Sequence, residues 1–373
     1  MKYIIFGILI LTVSCKSGNS VNTFQSELDS LFSTEFELNA PGASIVVLKN
    51  GETRYLGNFG VADINTKEKI TENTAFNIAS ISKTFVSYGI LILQDRGELS
   101  VEDSLLKYFD DFDNKQISKK IKLKHLLTHT SGLPDLRNVS ENTEFYLTAK
   151  DSENFEPLKH TRKLNFKPGE RHEYSNPSFN GLALIIEKVT WQPWQKFIKE
   201  NIFSPSGMTD SKITDGSYPD SGVAHGYILQ DGKYVENDYG EYPTFAASGN
   251  SGVWSSTSDL ARYENAILNN KFLSKKLIEE SRKVFVPKNW IDTIPPSKGY
   301  SWYIMDKEAS EKNFKVNVEI FYHYGDQGGY NAFYFSVPEK NILYIGLFNR
   351  PFGKTSEKID KVFEIMKKYN WLE

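Results

Sequence analysis

The sequence contains 373 residues, of which 39% are hydrophobic and 14% aromatic, enough for one large or two medium domains with a sizeable core. The formal net charge is −3 at pH 7, so the chain has no basic excess with which to neutralise phosphates, and nucleic-acid binding is not expected. Cys15 is the single cysteine, which excludes an intrachain disulfide and leaves the stability of the fold to its core.

The first segment has the layout of a secretory signal, because an apolar run over residues 3–13 ends just before Cys15. This run is too short to cross a bilayer as a helix, which needs about 20 residues. Cys15 resembles the lipidated cysteine of a bacterial lipoprotein, although Thr12 stands where leucine is usual. The alternative is an ordinary signal peptide with an incidental cysteine. We therefore predict a signal peptide over residues 1–14, a tether over residues 15–23, and an exported lipoprotein anchored to the membrane in the periplasm or at the cell surface.

After the tether, the spacing of apolar residues predicts an amphipathic helix that ends near Leu38. Two strand-like runs follow in GASIVVLKNGETRYLGNFGVAD, and Asn50-Gly51 between them is a strong hairpin signal. Apolar residues then recur at helical spacing through the middle of the chain. The predicted helices of this region cover residues 80–95, 123–129, 178–190, 193–201, 257–269 and 275–283.

Strands return near the C-terminus, in the β-rich runs NVEIFYHYG, YNAFYFSVP and NILYIGLFN, with a turn at Pro338 between the last two. Residues 354–369 then have the apolar spacing of a final helix. Strands at both ends and helices between them predict an α+β fold, in which one sheet is assembled from both chain ends and a helical region is inserted. Two lobes imply a cleft, and small-molecule sites tend to form in such clefts.

The stretch ASISKTF places Lys83 one helical turn after Ser80, so the two side chains share a face of the predicted helix. A lysine in the first turn of a helix is unfavourable by a few tenths of a kcal/mol up to about 1 kcal/mol, which suggests a further use for it. A lysine with a lowered pKa can take the proton of a serine hydroxyl. The pattern alone is weak, because Ser104 and Lys107 repeat the same spacing and an exposed lysine beside an unrelated serine is the alternative.

Two further short patterns, YSN at residues 174–176 and HYG at residues 323–325, follow ASISKTF along the chain. Together with stretches such as LLTHTSGLPD, YSNPSFNGLALIIEKVT and GVWSSTSDLARY, they make residues 24–370 resemble the serine β-lactamase and penicillin-binding-protein superfamily. The resemblance is to its branch of class C β-lactamases, DD-peptidases, D-aminopeptidases and related esterases. It implies one domain over residues 24–373, an α/β sandwich whose antiparallel sheet is flanked by helices and carries an inserted all-helical lobe. No metal and no organic cofactor is implied.

For catalysis, the resemblance implies Ser80 as the nucleophile, Lys83 as a proton acceptor beside it and Tyr174 as the second proton-transfer group. A phenol needs nearby cations to exist as a phenolate at neutral pH, because its unperturbed pKa is about 10, and Lys83 is the expected cation. His323 is expected on the strand that edges the cleft. The backbone N–H groups of Ser80 and Asp326 are expected to form the oxyanion hole.

The same resemblance assigns substrate binding to Asn176, which orients the substrate through its amide, and to Tyr324, Gly325 and Asp326. Tyr324 and Asp326 depart from the family, which usually has threonine or serine and then a small residue at these positions. If both side chains line the cleft, they disfavour a substrate carboxylate, since a like charge at 4 Å costs about 1 kcal/mol in water. We therefore expect a serine hydrolase that cleaves an ester or amide of a small molecule or short peptide, of esterase or D-amino-acid amidase type.

Two alternatives stay open at this point. The first is a β-lactamase or DD-carboxypeptidase, whose substrates carry a carboxylate. The second, from another class, is a catalytically idle binding or sensor protein on the same fold. The joint presence of Ser80, Lys83, Tyr174 and His323 argues against this second alternative, since a binding role does not require all four.

Other residues that could form sites have simpler structural explanations. His125 and His129 are spaced i, i+4, but no glutamate follows His125 as a HExxH zinc site requires, so both are predicted to be structural. Ser251 in GNSG is predicted to lie in a glycine-rich turn before a helix that Ser256 or a neighbour caps. Trp302 is predicted to belong to a core strand rather than to a substrate platform.

Overall fold

The computed structural model describes residues 23–137, 148–216, 218–219, 221–236, 246–353 and 355–373. The predicted signal peptide, Cys15 and nearly all of the predicted tether lie outside the described residues. Within the described ranges, no helix combines the length and the apolar character needed to cross a membrane.

One antiparallel sheet organises the described residues, and its strand order is β2-β1-β11-β10-β9-β8. The strands, in chain order, are β1 (Ala43–Lys49), β2 (Glu52–Phe59), β3 (Phe76–Asn77), β4 (Lys212–Ile213), β5 (Tyr227–Gln230), β6 (Lys233–Glu236), β7 (Val253–Ser255), β8 (Tyr303–Met305), β9 (Ile320–Gln327), β10 (Tyr330–Val337) and β11 (Ile342–Phe348). The first and last strands pair, with Ala43 opposite Phe348. The prediction of one sheet assembled from both chain ends is confirmed. The short sheet β3-β7-β4 and the hairpin β5-β6 were not predicted.

The helices between and around these strands agree with most of the predicted ones. They are α1 (Phe24–Phe32), α2 (Ser82–Asp95), α3 (Lys115–Lys120), α4 (Leu123–Leu127), α5 (Asp151–Lys159), α6 (Asn176–Thr190), α7 (Trp194–Ile198), α8 (Thr257–Leu268), α9 (Lys275–Ser281), α10 (Lys307–Phe314) and α11 (Thr355–Lys368). The helix predicted over residues 193–201 is shorter, because a π turn (Lys199–Phe203) follows α7. Sequence patterns did not predict α3, α5 or α10.

The outer face of the sheet is covered by the two helices from the chain ends, α1 and α11. Alternate residues of β1, including Ile45 and Val47, face this layer, where they belong to one buried cluster with Phe32 of α1 and Phe363 of α11. Both faces of the sheet are covered, so β1, β10 and β11 are nearly continuous apolar runs, and such short runs are typical of buried strands.

The inner face of the sheet packs against the inserted helical region. Residues of the opposite strand parity, such as Val46 and Ile345, join the buried cluster that contains α2, α6 and α8. A buried ion pair ties the two layers together, since Arg282 donates to Glu264 at 3.0 and 2.6 Å, and Tyr334 of β10 donates to the same carboxylate. The cleft lies at one edge of this interface, where β9 passes the start of α2.

Candidate active site

The turn that presents Ser80 is a 3₁₀ turn (Ala79–Ile81) directly before α2. Ala79 has a φ of +46°, a strained value for a residue with a side chain. The side chain of Asn77 stabilises this turn, because its Oδ1 accepts the N–H of Ala79 at 2.9 Å. As a result Ser80 is half-buried while its neighbours Ala79 and Ile81 are buried. This is the geometry expected of a serine that must reach a substrate.

Lys83 is completely buried, and its ammonium nitrogen lies 3.0 Å from the Ser80 Oγ and 2.7 Å from the carbonyl oxygen of Asn250. No carboxylate within the described residues contacts it. Burial lowers the pKa of Lys83 well below its usual range, and the positive charge of Arg137 lowers it further. The lowered pKa favours the neutral amine of Lys83, the form in which it can accept a proton from serine.

The contact with Asn250 also fixes the direction of the amine. A carbonyl oxygen can only accept a hydrogen bond, so one N–H of Lys83 must point at Asn250. The lone pair of the neutral nitrogen is then free to accept the hydroxyl proton of Ser80. The sequence could not reveal Asn250, because it lies far from Lys83 along the chain and acts through its backbone.

Tyr174 lies on the other side of Ser80, just before α6. Tyr174 as a whole is 37% exposed, but its hydroxyl group is buried and hydrogen-bonded to Ser80. Burial raises the pKa of Tyr174, so the group is a neutral phenol in the resting site. The Lys83 nitrogen lies 5.0 Å from the centre of the Tyr174 ring, and its expected role in stabilising a Tyr174 phenolate stays a prediction.

His129 is part of this arrangement, although its sequence pattern predicted only a structural role. Its ring stacks on Tyr174, with centroids 4.4 Å apart and planes at 29°. Its Nδ1 accepts the N–H of Ser175 at 3.0 Å, which places the proton of the neutral ring on Nε2. Burial lowers the pKa of His129 well below its usual range. The uncharged His129 ring thus packs against the Tyr174 ring and positions it. Only the tertiary structure reveals this role.

The strand β9 carries His323 and Gly325 and passes the turn that presents Ser80. A methyl group on Gly325 would lie 2.3 Å from the carbonyl oxygen of Ile78, so only glycine allows this strand to pass the serine turn. His323 is buried, and its Nδ1 hydrogen-bonds to the Tyr324 carbonyl at 2.7 Å. Burial and the nearby Lys83 lower the pKa of His323 to about 3, so the ring is neutral, and its Nε2 has no partner among the described residues.

Tyr324 and Asp326 point the other way, because side chains alternate along a strand. The Tyr324 ring lies 5.6 Å from Phe335 in the outer layer. Asp326 hydrogen-bonds to Asn331, whose Oδ1 accepts the N–H of Phe352 at 2.7 Å. Both side chains therefore lie away from the cleft, so the argument against a substrate carboxylate, which was conditional on their lining it, does not apply. The expected oxyanion role of the Asp326 N–H does not depend on its side chain and stays a prediction.

Asn176 is the first residue of α6 and is half-buried beside Tyr174. Its amide forms no hydrogen bond with any part of the chain that the structure describes. The predicted role in orienting a substrate stays a prediction.

A buried carboxylate that the sequence did not reveal supports the turn around Asn250. Asp151 Oδ1 accepts the N–H of Gly249 at 2.8 Å and the Nδ2–H of Asn180 at 2.7 Å, and its Oδ2 accepts the indole N–H of Trp194 at 2.8 Å. Asn180 in turn accepts the amide of Asn250 at 2.9 Å. Asp151 thereby fixes the turn whose carbonyl orients Lys83. Burial raises the pKa of Asp151 to about 7.

The remaining candidates have structural roles. Lys107 pairs with Asp103 at 2.8 Å rather than with Ser104, so the second Ser-x-x-Lys copy is incidental. Ser251 lies in the turn before β7, and Ser256 caps α8, as predicted. Trp302 is fully buried and donates to the Tyr88 hydroxyl at 3.1 Å, which confirms its place in the core.

No described group of three or more histidine, cysteine, aspartate and glutamate side chains is placed to hold a metal ion. His125 uses its Nδ1 to accept the N–H of Lys122 at 3.1 Å. That bond closes the first turn of α4, which is a structural role.

Comparison with known proteins agrees with this geometry. The family model described as "Beta-lactamase" matches residues 28–365. Penicillin-binding protein 4* of Bacillus subtilis (strain 168) is 28% identical over 335 residues, which cover 86% of this chain and 71% of that protein. Protein flp of Staphylococcus aureus (strain NCTC 8325 / PS 47) is 28% identical over 356 residues, which cover 92% of this chain and 66% of that protein. The chain thus spans about two thirds of the length of these relatives.

Solved structures share the fold. An octameric penicillin-binding protein homologue from Pyrococcus abyssi superposes with a TM-score of 0.74 at 25% identity, covering 93% of this chain and 77% of that one. A D-amino acid amidase from Ochrobactrum anthropi SV3 superposes with a TM-score of 0.73 at 22% identity, covering 93% of this chain and 98% of that one. The predicted α+β architecture is confirmed by both.

Proposed function

Because the chain belongs to the beta-lactamase family and is a serine hydrolase, we propose that it cleaves a carboxylic ester or amide through an acyl-serine intermediate on Ser80. The observation that supports this most directly is the pair of neutral groups on the serine. Lys83 can accept a proton at 3.0 Å from the Ser80 Oγ, and the Tyr174 hydroxyl bonds to the same oxygen. No such pair is needed for a protein that only binds.

In the first half-reaction, the Ser80 oxygen attacks the substrate carbonyl carbon while its proton passes to the Lys83 amine. The backbone N–H groups of Ser80 and Asp326 receive the developing oxyanion. The attack gives a tetrahedral intermediate. When it collapses, the bond to the leaving alcohol or amine breaks, and the leaving group takes the hydroxyl proton of Tyr174. Tyr174 recovers a proton from the Lys83 ammonium, so the site returns to its neutral state.

In the second half-reaction, water attacks the acyl carbon. Lys83 and Tyr174 remove its proton and return a proton to the Ser80 oxygen as the acyl bond breaks. The product is a carboxylic acid. A buried ammonium without a carboxylate partner is costly, and this drives Lys83 back to the neutral amine after each proton transfer.

Labelling with a fluorophosphonate, which requires an activated serine, tests the nucleophile. Wild-type protein should be labelled, and Ser80→Ala should not, while Ser104→Ala serves as the matched control and should be labelled normally. Absence of labelling and of hydrolysis in wild-type protein would favour the binding or sensor alternative.

A panel of a short-chain ester, a D-amino-acid amide and a chromogenic cephalosporin tests the substrate class. We expect hydrolysis of the ester or of the amide. Faster hydrolysis of the cephalosporin than of both would replace this proposal with the β-lactamase or DD-carboxypeptidase alternative.

We also propose that the protein is exported and attached to the membrane through a lipid on Cys15. The support is the apolar run that ends just before the only cysteine. Cys15→Ser should move the protein from the membrane fraction to the soluble fraction. Unchanged fractionation of this variant would contradict the anchor.

A further inference from the structure

A cavity lies near the residues that flank Ser80, because its lining includes Thr128 and Thr130 on either side of His129 in the chain, and His172, two residues before Tyr174. Its volume is about 200 Å³, below the roughly 300–1,000 Å³ of pockets for drug-sized ligands, so it suits one end of a substrate. The lining divides into an apolar group and a polar group. The apolar residues are Phe285, Trp290, Ile294, Pro295 and Pro296, and the polar residues are Thr128, Thr130, His172, Asp292, Ser297 and Lys298.

Lys298 is a largely buried cation without a counter-ion. Its ammonium lies 3.1 Å from the centre of the Tyr303 ring, and it forms no hydrogen bond or ion pair within the described part of the chain. Burial alone lowers the pKa of Lys298 to about 7. A cation in this position is costly until an anion reaches it.

His172 lies at the same cavity and lacks partners in the same way. Its Nε2 is buried and unpaired among the described residues. Burial, followed by the charge of Lys298, lowers the pKa of His172 to about 4. Asp292 also lines the cavity, but within the described residues it forms no ion pair with Lys298 or His172. Its Oδ1 instead accepts the N–H of Ile294 at 3.2 Å.

The walls of the cavity are fixed before any ligand arrives. The segment from Phe285 to Lys298 is closed by a backbone hydrogen bond of 2.8 Å between these two residues. The Trp290 indole donates to the Ile294 carbonyl at 3.1 Å, and the Ile291 N–H donates to the Glu170 carbonyl at 2.9 Å. A preformed pocket loses little conformational entropy when it binds. Ile294 is 70% exposed at the rim, so the cavity opens to solvent.

We infer that this cavity is the subsite for a carboxylate on a small apolar group, with Lys298 and His172 as its polar ligands and the aromatic and proline residues as its walls. The inference rests on the proposed function, because it assigns the carboxylate to the ester or amide that Ser80 cleaves. It replaces the expectation that the protein avoids anionic substrates, which depended on the side chains of Tyr324 and Asp326.

Ring contacts connect this cavity to the reacting atoms. Tyr303 carries Lys298 on its face and packs against His323, with centroids 5.3 Å apart. The ring centroids of His172 and His129 lie 5.7 Å apart, and the His129 ring stacks on Tyr174. One ring therefore separates Lys298 from His323, and one ring separates His172 from Tyr174, which places the cavity next to the residues around Ser80.

Calorimetric titration of the purified full-length Ser80→Ala protein tests binding apart from catalysis. Phenylacetate should bind at least about tenfold more tightly than neutral phenylacetamide, and Lys298→Met should lower its affinity at least about tenfold. Lys288→Met, an exposed lysine of the same segment, is the matched control and should change nothing. Equal affinity for the acid and the amide, or normal affinity in Lys298→Met, would overturn the inference.

The pH dependence provides a check that needs no variant at Lys298. Phenylacetate stays ionised from pH 6 to pH 8.5, and the groups that face Lys298 are His172, His129, Tyr303 and Asp292. The two imidazoles are neutral across this range, and the raised pKa of Tyr303, about 12, keeps its hydroxyl neutral. Affinity should therefore fall as pH rises and Lys298 loses its proton. An affinity that is constant or rises with pH would contradict the assignment.

The source of the carboxylate is tested with wild-type protein and a neutral ester. Competitive inhibition by phenylacetate, with a raised KM and unchanged kcat, supports a substrate subsite. An effect on kcat at unchanged KM would instead indicate a separate carboxylate effector and overturn the substrate assignment. If no ester or amide is hydrolysed, the proposed function fails, whereas the titration still decides whether the cavity binds carboxylates.

Discussion

Arg282 and Lys83 are both buried basic residues, and the groups that contact them differ. Arg282 is 7% exposed and forms two hydrogen bonds with the Glu264 carboxylate, which keep the pKa of Arg282 raised and that of Glu264 lowered. Lys83 is completely buried and has a serine hydroxyl and a carbonyl oxygen as its partners, and its pKa is strongly lowered. Both side chains are buried, but Arg282 has a carboxylate partner and a guanidinium that keeps its proton in proteins, whereas Lys83 has no carboxylate partner among the described residues and can lose its proton.

The comparison also explains why a buried lysine without a carboxylate partner is neutral. A buried pair of opposite charges is costly to assemble but far more costly to break. A buried lysine without a partner avoids most of this cost by losing its proton. The neutral amine beside Ser80 is therefore the cheaper state of an isolated buried lysine, and it is also the state that catalysis needs.

Removing the carboxylate from the structural pair should give the largest effect. Glu264→Gln leaves Arg282 buried without a counter-ion, and we expect the free energy of unfolding to fall by about 3–5 kcal/mol. Chemical denaturation measures this loss. Glu279→Gln, which breaks an exposed pair with Lys275, is the control and should cost no more than about 1 kcal/mol. A loss in Glu264→Gln as small as that of the control would show that Arg282 finds other partners.

Removing the Lys83 amine should instead lower activity strongly and stability only slightly. Lys83→Met should lower the rate of serine labelling at least about 10²-fold, the usual range for losing a general base. Its Tm should not fall much, because the variant fills the same space and contributes no buried charge. Labelling rates and thermal melts of the same preparations test both halves. Near-normal labelling of a stable Lys83→Met protein would show that Lys83 is not the base.

Asp151 gives a third test, because it fixes the turn that supplies the acceptor for Lys83. Asp151→Asn turns one acceptor oxygen into a donor facing Gly249 or Trp194, which should destabilise the protein by about 1–3 kcal/mol. The displaced Asn250 carbonyl should lower kcat for an ester by about tenfold while KM changes little. Asp151→Glu, which keeps the acceptors, should restore part of kcat. A fall in stability without a fall in kcat would limit Asp151 to a structural role.

The same variant has a pH signature. The folded pKa of Asp151, about 7, lies above its unfolded value of about 3.9, so between these pH values the folded state holds a proton that the unfolded state has lost. Stability from this group is present at low pH and is lost as pH rises toward 7. The free energy of unfolding of wild-type protein should therefore decline more steeply from pH 4 to pH 7 than that of Asp151→Asn. Parallel curves for the two proteins would contradict the raised pKa.

Local patterns in the sequence predicted the parts of this site that are close along the chain. Ser80 and Lys83 lie one helical turn apart, so their contact follows from helix geometry. Short β-rich apolar runs bounded by turn signals likewise predicted β1, β10 and β11. Asn250, Asp151 and Arg137 act on Lys83 from distant segments, and only the packing of the helical lobe brings them together.

The direction of the Tyr324 and Asp326 side chains, which the sequence analysis left open, follows from strand geometry. Side chains alternate along a strand, so a prediction that places His323 and Gly325 at the cleft requires Tyr324 and Asp326 to face away. His129 was different, since no local pattern indicates that its ring stacks on Tyr174.

The smallest effect is expected from a substitution at Asp326. It tests most directly whether Lys83 lacks a carboxylate counter-ion. If its carboxylate faced the cleft, it would be a counter-ion that could raise the pKa of Lys83, as Glu264 does for Arg282. It instead hydrogen-bonds to Asn331 in the outer layer. Asp326→Asn should therefore change kcat/KM for a neutral ester by no more than about twofold, the range of substitutions remote from a site. The pH at which the rate rises should also stay where it is in wild-type protein. A shift of that rise to lower pH in Asp326→Asn would show that the carboxylate acts on Lys83 after all.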